Sequence, residues 1–223
     1  MRAHDGEQHH SQILEDYVLA IYRTSVAGEQ VRGARLAEQL GVAPPTVTEM
    51  LGRLRRDGLV AAGTPIQLTG EGLQLARTLV SRHRLIERFL VDVLGFGWEE
   101  VHEEAHRLEH ALSGRVTERL AEYLGHPTTC PHGHPIMEGE AAEPELRLQP
   151  LTTVHAGDAG VVRRIAVEDP ALLGLLTDLG IGLDTEVRVD HVDPYDGPIH
   201  IEVRGREGVI GVAAAREVLV EAR

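Results

Sequence analysis

The chain of 223 residues contains no lysine, so all 22 of its basic positions are arginine. That absence reads as a bias of composition and carries no functional inference. A single cysteine, Cys130, excludes an intrachain disulfide and leads to the expectation of a cytoplasmic protein. Aromatic residues make up only 3% of the chain, so its core has to be built from Leu, Val, Ile and Ala. There is no apolar run of about 18 residues and no signal-peptide pattern, so no membrane association is expected.

Histidine and acid are abundant. Thirteen histidines make metal or pH chemistry a serious candidate. The formal net charge is -13, which argues against nucleic acid as a partner unless one surface differs from the total.

Along the chain, the polar leader "MRAHDGEQHHSQ" is expected to be frayed, and apolar spacing predicts a helix from Ile13 that ends at Gly28. "VRGARLAEQLGVAPPTVTEMLGRLRRDGLV" reads as helix, tight turn, helix. Leu36, Ala37 and Leu40 face inward, Gly41 is the C-cap, proline opens the second helix, and Val47, Leu51 and Leu54 continue the stripe. "LVAAGTPIQLT" then reads as a short hairpin, and Thr69 caps a long helix to about Leu94. A second long helix is predicted from about Trp98 to Leu124. It is followed by a Pro- and Gly-rich loop and, beyond Leu151, by short Val- and Ile-rich segments typical of a small barrel.

A helix-turn-helix followed by a hairpin is a winged helix, whose second helix can enter the major groove. Its outward face offers Pro45, Thr46, Thr48, Glu49 and Arg53, and Arg35, Arg53, Arg55 and Arg56 can reach phosphates. The competing reading is a helical hairpin whose charges are merely solvated.

"VHEEAHRLEH" contains His102-Glu103-Glu104-Ala105-His106, the H-E-x-x-H string of zinc proteases. A metzincin also needs glycine at position 109 and histidine at 112, where this chain has Glu109 and Leu112. Glu118 and Glu122 remain as distant ligands, but nothing else suggests a substrate cleft. On a helix, His102, His106, Glu109 and His110 share one face, and His83 and Glu87 share another at i and i+4. Imidazoles with carboxylates suit Mn(II), Fe(II), Co(II) or Zn(II). Each of these histidines alone is explained by a solvated helix surface; the set favours metal. In "CPHGHP", Cys130, His132 and His134 tempt a zinc reading, but the proline and glycine favour a structural turn.

The stretches "EDYVLAIY", "LAEQLGVAPPTVTEMLGRLRRDGLV", "LTGEGLQLA", "RHRLIERFL", "VHEEAHRLEH" and "CPHGHPI" together resemble the diphtheria-toxin-repressor family (DtxR/MntR type). The segments "GVVRRI", "LLTDLGIGLDTEVRV" and "DGPIHIEV" resemble its C-terminal SH3-like, FeoA-type domain. The resemblance implies an α+β multidomain fold: a winged helix-turn-helix at 1–73, a helical metal-binding and dimerisation domain at 74–140, a linker at 141–150 and an SH3-like small β-barrel at 151–223. It implies a repressor, not an enzyme, that binds palindromic operator DNA as a homodimer when metal is bound and controls metal-homeostasis genes. The alternatives are a winged-helix regulator not gated by metal and an H-E-x-x-H peptidase.

Carried over by position, the primary metal site takes Asp16, His106, Glu109 and His110. The ancillary site takes His83, Glu87 and His102, with Glu168, alone or with Asp169, as an extra ligand from the SH3-like domain. Asp16 matches the aspartate of manganese sensors, whereas His106 replaces the cysteine of iron sensors and the glutamate of manganese sensors. Leu19 stands where manganese sensors place a second carboxylate, and His102 follows the iron sensors. The expected corepressor is Mn(II), then Fe(II), with Zn(II), Co(II) or Cd(II) able to substitute in vitro.

Overall fold

A computed structural model describes residues 2–136 and 147–222. Most of the expected linker, 141–146, lies outside the described residues. The chain forms two compact units, residues 1–82 and 83–223.

In the first unit, α1 spans Arg2–Val26, α2 Gly33–Gln39, α3 Pro44–Arg56, and α4 starts at Gly70. α1 begins eleven residues before the apolar spacing predicts. A leader without proline can prolong a helix whose later turns are already fixed by packing. Tyr17, Val18, Ile21, Leu36, Val47, Leu51, Leu54, Ala76 and Leu79 form the core of this unit. Gly41 adopts φ +64 between α2 and α3, a left-handed turn that glycine takes without Cβ strain, and Pro44 occupies the first turn of α3. The wing is minimal: one antiparallel bridge, Val60 to Leu68, with the Ala61 N–H donating to the Gln67 carbonyl at 2.9 Å. Arg55 Nε and Nη2 donate to the Ala61 and Gly63 carbonyls of the wing, at 3.4 and 3.2 Å. Thr69 caps α4 as expected, its hydroxyl accepting from the Gly72 N–H at 3.1 Å.

α4 ends at Asp92 in the second unit. The single helix expected over 98–124 is two: α5, Val101–Glu109, and α6, Gly114–Tyr123. The break lies at Ser113, an extended residue whose hydroxyl accepts from the Val116 N–H and so restarts the helix. His110 is consequently the C-cap of α5 rather than a mid-helix residue.

The C-terminal part is a six-stranded antiparallel sheet. Its strands are β1 Leu148–Pro150, β2 Ala159–Ile165, β3 Glu186–Val192, β4 Ile199–Val203, β5 Arg206–Ile210 and β6 Val218–Ala222, in the order β1-β6-β2-β3-β4-β5. Two short helices, α7 (Pro170–Asp178) and α8 (Val212–Arg216), join it. The sheet's buried face, including Val162, Val187, Val189, Ile199, Ile201 and Val220, packs with Leu173 and Leu176 of α7.

Candidate metal centre

Three pieces of the second unit that are distant in sequence meet at one buried point. α4 supplies His83 and Glu87, one turn apart; α5 supplies His102; and the loop before α7 supplies Glu168. His83 Nε2 lies 3.0 Å from both Glu87 Oε1 and His102 Nδ1. His102 Nδ1 lies 3.2 Å from Glu87 Oε1 and 3.0 Å from Glu168 Oε2. The expected ancillary ligands, His83, Glu87, His102 and Glu168, therefore stand together in space.

The surroundings orient these ligands. His83 Nδ1–H donates to Glu109 Oε2 at 2.8 Å, which leaves Nε2 facing the cluster. Glu109 also uses Oε1, 2.6 Å from His106 Nδ1 and 3.3 Å from His110 Nε2. Fully buried, Glu109 thus touches both His83 and the two histidines of the expected primary site. Asp16, the remaining expected primary ligand, is half-buried on α1 in the first unit.

The "CPHG" turn, read from the sequence as structural rather than as a zinc site, also brings potential donor atoms to this cluster. It places Cys130 and His132, both fully buried, beside Glu87 and Glu168. His132 Nε2–H donates to the Trp98 carbonyl at 2.8 Å, which aims Nδ1 inward. That Nδ1 lies 3.7 Å from Glu87 Oε2, 3.6 Å from Glu168 Oε1 and 4.0 Å from Cys130 Sγ. The two carboxylates divide their oxygens: Glu87 Oε1 and Glu168 Oε2 face His102, while Glu87 Oε2 and Glu168 Oε1 face His132. The turn packs against β2 and carries potential donor atoms. Gly133, at φ +85, lets its backbone press against β2, where a Cβ would come within 2.1 Å of the Arg163 carbonyl oxygen. The Ile165 N–H donates to the His132 carbonyl at 2.9 Å.

The electrostatics fit a cation. Burial opposes the charge on Glu87, but its contacts with His102, His132 and His83 outweigh burial and hold the carboxyl far below the usual range. Glu168 and then Glu87 raise His102 to about 9. Burial works against charge on His132, yet contacts with Cys130 and Glu87 and the charge of Glu168 raise it to about 11. His134 goes the other way: burial lowers it to about 4, so its 3.6 Å approach to Glu168 is a neutral contact near pH 7. Glu87 Oε2 is buried and has no hydrogen bond within 3.5 Å. A buried carboxylate oxygen left this way, among inward-facing imidazole nitrogens and a thiol, suits a divalent ion.

On the first unit, the exposed face of α3 carries Pro45, Thr46, Thr48 and Glu49, with Arg53 half-buried. Arg35 is exposed on α2 and pairs with Glu29 at 2.6 Å, and Arg53 lies 3.7 Å from Asp57. Among the described residues no helix is long and apolar enough to cross a membrane.

Three family models match the chain in order: the iron dependent repressor N-terminal DNA binding domain at residues 9–63, the iron dependent repressor metal binding and dimerisation domain at 69–138, and the FeoA domain at 149–222. Iron-dependent repressor IdeR of Mycobacterium bovis is 39% identical over 209 residues, covering 87% of this chain and 90% of the relative. The diphtheria toxin repressor of Corynebacterium diphtheriae is 33% identical over 207 residues, with 86% and 89% covered. A solved manganese-dependent transcriptional repressor in complex with manganese superposes with TM-score 0.79 at 35% identity, over 94% of this chain and 100% of that one. With all three domains matched in sequence order and the relatives aligned almost end to end, the chain belongs to the diphtheria-toxin-repressor family of metal-dependent transcriptional repressors, and not to an enzyme family.

Proposed function

We propose that this repressor binds palindromic operator DNA as a cytoplasmic homodimer when divalent metal fills its second unit, and that it controls metal-homeostasis genes. The observation that carries this reading is the convergence of His83, Glu87, His102 and Glu168 on one buried point. A bound divalent ion supplies positive charge that offsets the buried carboxylates and ties α4 and α5 to the loop before α7. The chain's own residues do the rest. Glu109 fixes the His83 ring, the Trp98 carbonyl fixes the His132 ring, and Glu87 brings a buried carboxylate into the cluster.

Asp16, His106, Glu109 and His110 are proposed as the primary ligands on the family resemblance. Their carboxylates favour Mn(II) first and Fe(II) next, whereas the Cys130 group, with its soft sulfur, favours Fe(II), Co(II) or Zn(II) over Mn(II). DNA is proposed to meet the α3 face through Pro45, Thr46, Thr48, Glu49 and Arg53, with Arg35 from α2. For Arg35 this means exchanging Glu29 for a phosphate. The homodimer is supported by α6, which buries none of its residues within the chain and leaves Val116 51% and Tyr123 70% exposed.

A mobility-shift assay on the DNA upstream of the chain's own gene, with Mn(II), Fe(II) or chelator, tests the reading. The expected result is a shift with metal that is lost with chelator, and lost in Asp16→Ala and His110→Ala while the dimer persists. Undiminished metal-dependent binding by both variants sinks the primary-site assignment. Binding that is indifferent to chelator leaves a regulator not gated by metal.

A further inference from the structure

Away from the buried centre, we propose that the β3–β4 hairpin of the FeoA-like sheet carries a separate, solvent-facing seat for a late first-row divalent ion, formed by His191, Asp193 and His200. The antiparallel register pairs His191 directly with His200, so both imidazoles stand on one face of the ladder. Their rings lie face to face, with centroids 3.9 Å apart and 13° between planes. Asp193 divides its carboxylate between them, with Oδ1 3.7 Å from His191 Nε2 and Oδ2 3.4 Å from His200 Nε2. One donor atom from each of the three residues lies within 4.8 Å of the others.

This placement does not follow from simple alternation along β3. Val187 and Val189 point into the core, and strict period-two geometry would send His191 after them. The register instead shifts between Val189 and His191, and this bulge turns His191 outward, opposite His200. His200 faces outward by ordinary alternation between buried Ile199 and Ile201. Asp193 is held where the hairpin closes, its N–H donating to the Pro198 carbonyl at 3.0 Å. An irregularity in β3 and an anchored residue at its end thus bring three metal-binding side chains together where the sheet itself has no use for them.

Two imidazoles and one carboxylate without sulfur suit Zn(II), Ni(II), Cu(II) or Co(II) better than Mn(II) or Mg(II). Three protein donors on an open surface leave the remaining coordination positions to water, so the ion exchanges with solvent. None of the three residues belongs to the donor groups proposed to gate DNA binding, and the two readings stand or fall separately.

The test is equilibrium dialysis of the full-length chain against Zn(II). His191→Gln with His200→Gln should bind one ion fewer per chain, and Asp193→Asn should weaken that same ion at least tenfold. Glu87→Gln, which alters the buried centre, should keep it. In the wild-type protein, NMR signals of the His191 and His200 rings should shift on Zn(II) addition and return with chelator. An unchanged number of ions and unchanged affinity in the double variant overturn the seat, as do ring signals that ignore Zn(II).

Discussion

Glu87 is the residue on which the buried centre turns, because each of its oxygens serves a different set of neighbours. Glu87→Gln keeps the shape and removes the charge. It is expected to weaken metal binding by 10- to 100-fold or more, since loss of outer-shell partners alone costs about that much. Isothermal titration reads this directly, and wild-type affinity in the variant would remove Glu87 from the centre. The same cluster sets the pH response of the metal-free chain. The Glu87 carboxyl titrates lower in the folded protein than in the unfolded chain, so its stabilisation is present above the unfolded value and lost as acid approaches the folded one. His102 is raised to about 9, so its contribution is complete below the unfolded value of 6.5 and fades between 6.5 and about 9. His134, lowered to about 4, costs stability as pH falls from 6.5 towards 4. Thermal melts of the metal-free chain should therefore fall on both the acid and the alkaline side of a maximum near neutral pH. A melting temperature that stays flat from pH 6.5 to 9 would contradict the His102 assignment.

At the level of elements, the "CPHG" turn joins the candidate metal centre to the sheet, and Gly133 is its tightest point. Gly133→Ala meets both a left-handed φ of +85 and the Arg163 carbonyl. A strain of about 1–3 kcal/mol is expected, with weaker metal binding as Cys130 and His132 shift. Denaturant unfolding and metal titration of the same variant check both effects. α6 calls for a different substitution: Val116→Glu places charge on its uncovered apolar face and should shift sedimentation towards monomer while leaving the helix content unchanged. Elements of this kind differ in how readily the sequence discloses them. The α2–α3 pair was legible because period, proline and glycine agree from Leu36 to Leu54. The break between α5 and α6 was not, since Ser113 sits inside an otherwise helical pattern and only its cap hydrogen bond marks a new start. His83, Glu87 and His102 were legible from helical spacing and from the family resemblance. The place of Cys130 and His132 beside Glu87 and Glu168 was not legible because a turn has no period: it is set by Trp98 and β2, which the chain reaches only through tertiary packing.

For the whole molecule, the opposition lies between a net charge of -13 and the arginines of the proposed DNA-facing surface. Long-range repulsion is screened over about 8 Å at physiological ionic strength, so the local charge of α2 and α3 decides whether phosphates are held. Arg55 is partly committed to the wing carbonyls, and Arg35 has a close acidic partner in Glu29. Arg53, the α3 arginine proposed to meet DNA, lies 3.7 Å from Asp57. Each phosphate contact adds about 0.9 to the slope of log affinity against log salt. If Arg53 makes one such contact, Arg53→Ala should weaken metal-activated operator binding and lower the slope by about 1 per subunit bound, nearly equally across operator sequences. If instead it reads a guanine edge, the loss should be about 1–3 kcal/mol at one base position, with that position's preference relaxed. Affinities measured from low to moderate salt on the parent operator and its single-base variants separate the two. A variant whose slope, affinity and base preference all match wild type would take Arg53 off the interface and leave DNA binding to the other proposed residues of α2 and α3.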